Sequence, residues 1–352
     1  MRGRLARHGW IVAAGLLMGL FGSLLAYWGN PPNTGICISC FLENAVGALG
    51  LHPNPRMRYL RPELLGFFLG SAAAALAARE FRPRARAAGA HLLGLGLLMI
   101  VGSAVFIGCP IKMMLRLAAG DLTAVAGAVG LVAGVWGGLR LVRRGDLDGG
   151  GRARPVPWLV PAGLVVGALV LTALLFRPGI LLESRSGPGA LHAPVWISLA
   201  AGLAIGVACQ RSRFCITGSV RDILLVRSPG AVLALGGLLA AAGLADGFTG
   251  QFRLGYYDQP GAHLEWLWSF LGMGLVGAAA VVAGGCPFRQ IVRAGEGDLD
   301  AAATVVGMGA GAVLVQVWGL GASAAGVPAA GKVAVLVGLA ALLGLGASAR
   351  SH

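Results

Sequence analysis

The segment Gly108-Cys109-Pro110 opens a stretch, GCPIKMMLRLAAGDL (108–122), that aligns without a gap to GCPFRQIVRAGEGDL (285–299). Proline after cysteine suits the first turn of a helix, where its missing N–H would have no partner. Cys109 and Cys286 are therefore expected at helix N-caps. There, unpaired backbone N–H groups and the helix dipole favour an anion. A thiol donates a weak hydrogen bond and is a soft, polarizable contact. Lys112 and Arg116 stand four residues apart and share a helix face, as do Arg289 and Arg293. The four cations are candidates to attract an anion. Two other roles stay open: Arg116 and Arg293 can pair with Asp121 and Asp298 to hold the short helices in place, and Lys112 and Arg289 can reach toward the interface.

A second pair agrees with the first. Ile36-Cys37-Ile38-Ser39 resembles Phe214-Cys215-Ile216-Thr217, so each half of the chain carries two cysteines in the same order. Cys37 and Cys215 are candidate relay thiols. Cys40 completes a C-x-x-C with Cys37 and offers a redox alternative, although Gly218 stands at its place in the other half. No second C-x-x-C or histidine pair completes a tetrahedral zinc set, so neither metal nor cofactor is expected. Cys209 has no repeat partner and reads as packing. Glu43 and Asn44 follow the Cys37 motif and can cap or face a cavity.

These residues must be positioned inside a membrane. The chain has 352 residues, 57% hydrophobic and 12% charged, with mean hydropathy +0.78. A soluble domain carries roughly twice that share of charge. The composition predicts an all-α integral membrane protein of about 9–10 transmembrane helices plus four half-inserted ones, in an hourglass-like inverted repeat. Expected spans are 10–28, 62–78, 90–107, 121–140 and 157–176, then 195–209, 231–248, 266–284, 299–319 and 330–347. The first reads as a retained helix, not a cleaved leader. The Cys37 and Cys215 loops (33–50, 210–227) and the two Gly-Cys-Pro helices are too short to cross, and broken backbone at membrane depth must be buried in protein or line a cavity.

The expected organisation is a first repeat half (1–142), a linker (143–154), a connecting helix and external loop (155–194), and an inverted second half (195–352). The net charge of +14 sits mainly in short loops, where the positive-inside rule places it, and does not signal a nucleic-acid partner. The rule makes the N-terminus and the 79–86 and 140–154 loops cytoplasmic. The Cys37 loop is then outside and the Cys215 loop inside. The 52–61 loop, with Arg56, Arg58 and Arg61, would be external and basic against the rule, a funnel suited to anions.

At these motifs the sequence resembles the YeeE/YedE family of sulfur-compound transporters, over about residues 10–345. GICISCFLENAVGALGLH and GCPIKMMLRLAAGDLTA look most like the YedE branch, which implies a selenium compound as one candidate cargo. The resemblance implies an hourglass of two funnels in a bacterial inner membrane, with Cys109 and Cys286 as central contacts and Cys37 at the outer mouth. Cys215 follows at the inner mouth through the repeat, and Cys40 departs from the simple pattern. It further implies a small cytoplasmic sulfurtransferase-like partner.

Two functions are carried forward. A transporter of a small sulfur or selenium anion requires Cys109 and Cys286 to meet at mid-membrane. A membrane thiol oxidoreductase or sulfur-transfer subunit requires Cys37 and Cys40 within disulfide range.

Overall fold

The computed structural model describes residues 2–85, 89–144, 154–155, 179 and 181–348. Six helices form the first part: α1 (Arg2–Tyr27), α2 (Ile38–Ala48), α3 (Pro62–Ala77), α4 (Gly89–Phe106), α5 (Pro110–Ala118) and α6 (Ala124–Arg144). Seven follow: α7 (Val195–Ser212), α8 (Ile216–Val226), α9 (Pro229–Thr249), α10 (Trp266–Val282), α11 (Pro287–Gly295), α12 (Leu299–Val317) and α13 (Ala329–Ser348). Among the described residues, the named strands form a two-residue antiparallel ladder, β1 (Arg84–Ala85) against β2 (Arg154–Pro155). Among the described residues, seven helical stretches are long and apolar enough to cross a bilayer, and Pro62–Ala77 and Ala329–Leu345 are shorter apolar helices beside them. Eight of the nine longer helices described coincide with expected spans to within a few residues, and α1 begins eight residues before its expected start at residue 10. The expected span 157–176 and most of the linker 143–154 lie outside the described residues.

Helices of the first part pack chiefly on helices of the second. α1 lies on α9 as α7 lies on α3; α6 lies on α10 as α12 lies on α4. Under the offset of the sequence repeat, each of these contacts is the counterpart of its neighbour. The α4–α10 and α1–α7 contacts are their own counterparts. The chain therefore does not build two separate bodies, one from each half. Without a hydrophobic drive between helices in lipid, such contacts depend on close backbone approach. Gly66 shows this: a Cβ there would stand 2.7 Å from the Gly202 Cα, and at Gly102 it would stand 2.5 Å from the Gly272 carbonyl oxygen.

The short helices hang between the long ones. α5 packs on α6 and α9, and its counterpart α11 packs on α12 and α3; α2 lies on α12 as α8 lies on α6. Gly120 and Gly297, with φ of +91° and +90°, end α5 and α11 in the left-handed region that glycine tolerates best. Asp298 then caps α12, accepting from the Asp300 and Ala301 N–H groups.

Candidate functional site

All four short helices begin on a cysteine. Cys37, Cys109, Cys215 and Cys286 are the extended N-cap residues of α2, α5, α8 and α11, with Pro110 and Pro287 opening α5 and α11. The expected N-caps at Cys109 and Cys286 are present; those at Cys37 and Cys215 were not foreseen. Cysteine is not among the usual capping residues, and no proline follows these two.

The thiols themselves do the capping at Cys37 and Cys215. Cys37 Sγ accepts the Cys40 N–H at 3.4 Å and lies 3.3 Å from Ser39 Oγ. Cys215 Sγ accepts the Gly218 N–H at 3.4 Å and lies 3.2 Å from Thr217 Oγ1. Cys40 has no equivalent in α8; its Sγ stands 2.7 Å from that of Cys37. At Cys109 and Cys286 the thiol does not close the cap.

The caps join in pairs. The Ile38 N–H donates to Cys109 Sγ at 3.3 Å, and the Cys286 N–H donates to Cys215 Sγ at 3.3 Å. The Cys37 thiol also meets that of Cys109, and the Cys215 thiol that of Cys286. Across the two pairs, α2 touches α11 and α5 touches α8. These four thiols are buried, Cys40 is half-buried, and all are free cysteines.

A cavity adjoins each pair. One of about 680 Å³ reaches Cys40, Gly108 and Lys112, and is walled by Glu43, Asn44, Arg56, Arg61 and Ser103. The other, about 180 Å³, reaches Cys215, Gly285 and Arg289, and is walled by Arg213, Arg221 and Asp222. Gly108 and Gly285, Lys112 and Arg289, and Cys40 and Gly218 are repeat counterparts, so both cavities use the same positions of the fold. They lie toward opposite ends of the same helices. Arg61, the N-cap of α3, lines the larger cavity, whereas Arg213 of the smaller one bonds Glu80, just beyond the C-terminus of α3. Likewise Gly261, ahead of α10, lines the first, and Ala280 and Val281, late in α10, line the second.

The cations divide into two groups. Lys112 is 2% exposed, lines the larger cavity and has no ion pair among the described residues. Arg289 lines the smaller cavity and pairs with Glu296 at 3.1 Å. Arg116 and Arg293 line neither. Arg116 Nε lies 2.6 Å from Asp121, its NH1 donates to the Phe106 carbonyl at 3.1 Å and its NH2 to Thr123 Oγ1 at 2.7 Å. Arg293 pairs with Asp298 at 2.8 Å and donates to the Ala283 carbonyl at 3.1 Å. Each ties the end of one long helix to the start of the next, the structural role that the spacing left open. Near the smaller cavity, a hydrogen bond from Gln210 and the charge of Arg213 hold the Glu80 carboxyl below its usual range, so it stays ionised. Cys209 is fully buried in the core beside Arg289, which donates to its carbonyl at 3.5 Å.

The sequence reading missed Glu296. Its signal was present in the aligned repeats, where position 119 is alanine and position 296 is glutamate. Two helical turns separate residues seven apart, which puts Arg289 and Glu296 on one face.

Residues 211–348 match the family model described as sulphur transport. The chain is also 33% identical over 99 residues to the thiosulfate transporter TsuA of Escherichia coli (strain K12), an alignment that spans 28% of each chain. The family match takes in Cys215, Cys286, Arg289 and Glu296, and thus the smaller cavity with its capping thiols. Over residues 211–348, the chain is similar to the sulphur transport family.

Proposed function

We propose that this protein imports a small sulfur-containing anion of the thiosulfate type across a bacterial inner membrane, passing it between the two cavities through the cysteine caps. The carrying observation is the pair of repeat-related cavities, each reaching a cysteine beside a cation: Cys40 with Lys112 in one, Cys215 with Arg289 in the other. Helix N-termini and Lys112 or Arg289 supply positive potential. The thiols Cys37, Cys109, Cys286 and Cys215 contact the ion through weak, soft donors, which permits release as well as binding. The symmetric helix contacts and the placement of the cavities at opposite ends of α3 and α10 support an inverted repeat formed by residues 1–142 and 195–352. A selenium-containing analogue is the alternative cargo, since its terminal atom would suit the same soft contacts.

The test is uptake of labelled thiosulfate into proteoliposomes holding the full chain, with selenosulfate and sulfate as competitors. Thiosulfate uptake that selenosulfate reduces and sulfate spares supports the reading. An unmodified protein that admits no thiosulfate overturns it.

A thiol oxidoreductase is the second reading, favoured by the 2.7 Å approach of the Cys37 and Cys40 sulfurs. It requires Cys40 to change redox state during turnover, which mass mapping of alkylated thiols would detect. Gly218 at the position of Cys40 and the transport family of the second half weigh against it.

A further inference from the structure

We infer that the two cavities are unequal anion sites, the Cys40 cavity serving for capture and the Cys215 cavity for release, and that Glu296 sets the inequality. The inference rests on the transport reading above. Among the described residues, each cavity is lined by three cations. In the Cys40 cavity these are Arg56, Arg61 and Lys112, and none has an ion pair among the described residues. Arg61 is 1% exposed and donates to Asn30 Oδ1 and the Pro188 carbonyl, while its Nε lies buried without an acceptor. Ser103 Oγ, on the same wall, is also buried without a partner. The carboxylate on that wall, Glu43, is held by the Gln316 amide and makes no ion pair among the described residues.

In the Cys215 cavity the three cations are Arg213, Arg221 and Arg289, and every one is paired. Arg213 lies 2.7 Å from Glu296 and 3.0 Å from Glu80. Arg221 lies 2.8 Å from Asp222, and Arg289 lies 3.1 Å from Glu296. Glu296 alone thus restrains two of the three. The difference is written between the repeats: Glu296 corresponds to Ala119, and Ala280 to Ser103.

The physical consequence is direct. A buried cation without a counter-charge is costly, and an arriving anion relieves that cost. An anion at a paired cation must displace a carboxylate or share the cation with it. Binding is therefore tight in the Cys40 cavity and loose in the Cys215 cavity, so the first fills at low concentration and the second empties quickly. The inequality changes half-saturation and rate on each face; it leaves the equilibrium distribution of the ion untouched.

The test uses the full chain in orientation-sorted proteoliposomes, with labelled thiosulfate presented to one face at a time. Labelling of Cys40 with an impermeant maleimide assigns the faces. The unmodified protein is expected to half-saturate at a lower concentration on the Cys40 face. Glu296→Gln keeps the hydrogen-bonding shape and removes the charge. It should lower half-saturation on the Cys215 face by about tenfold, with the other face unchanged and net flux slowed. Ala119→Glu places a carboxylate at the matching position of the other half and should raise half-saturation on the Cys40 face; it carries the test should Glu296→Gln not be recovered folded. Equal half-saturation on the two faces of the unmodified protein, or equal shifts on both faces in Glu296→Gln, would overturn the inference while leaving transport intact. Absence of thiosulfate flux in the unmodified protein would overturn the transport reading and this inference together.

Discussion

Arg116 and Asp121 form an ion pair of 2.6 Å in which the side chains are 1% and 0% exposed. The arginine is further fixed by the Phe106 carbonyl and stands over the Phe106 ring at 4.5 Å. Removing one partner of a buried pair leaves an uncompensated charge, at a cost of about 3–5 kcal/mol. Asp121→Asn should therefore destabilise the protein by that order in unfolding measurements in detergent. Asp298→Asn should cost less, because the Arg293 side chain is 21% exposed. A loss under about 1 kcal/mol for Asp121→Asn would show that the clamp contributes little.

The capping thiols make separable predictions. Cys109→Ala and Cys286→Ala should each cut thiosulfate uptake by about tenfold or more, the effect of losing one contact worth roughly 1.4 kcal/mol. Cys37→Ala should act similarly, since its sulfur caps α2 and meets Cys109. Cys209→Ala should leave uptake intact, because this thiol caps no short helix and has no cysteine counterpart in the other half. Normal uptake by Cys109→Ala and Cys286→Ala at equal expression would defeat the relay.

Backbone proximity between the halves can be probed at glycines. Gly66→Ala and Gly102→Ala would press a methyl group onto Gly202 and Gly272, and overpacking of this kind costs about 1–3 kcal/mol. Both variants should show lower melting temperatures in detergent. Gly94→Ala on α4, where a Cβ meets nothing within 4 Å, should not. Equal behaviour of all three would contradict the cross-half packing.

Ionic strength should matter on the Cys40 face. Arg56 is exposed at the rim of that cavity, and exposed charges act over about 8–10 Å at moderate salt. Raising salt with a non-competing anion should raise half-saturation for thiosulfate. Arg56→Ala should raise it at low salt and flatten the salt dependence. A salt response unchanged by this substitution would remove Arg56 from the capture funnel.

The sequence alone determined what local geometry controls. Cys-Pro specified the N-caps of α5 and α11, Gly120 and Gly297 their ends, and the five-residue spacing from Arg116 to Asp121 and from Arg293 to Asp298 the clamps. Helix pitch and backbone dihedrals set all of these within a few residues, and the apolar runs marked the spans by the same logic. Tertiary structure decided the rest. Nothing local shows that α3 packs on α7, that Ile38 reaches Cys109, or that Arg213 finds Glu80 and Glu296 from two other segments. It also separated four similar cations into two clamps, one paired cavity residue and one, Lys112, with no ion pair among the described residues. The reason is physical: the field at a buried charge is the sum over everything packed around it, and those neighbours come from parts of the chain far apart in sequence.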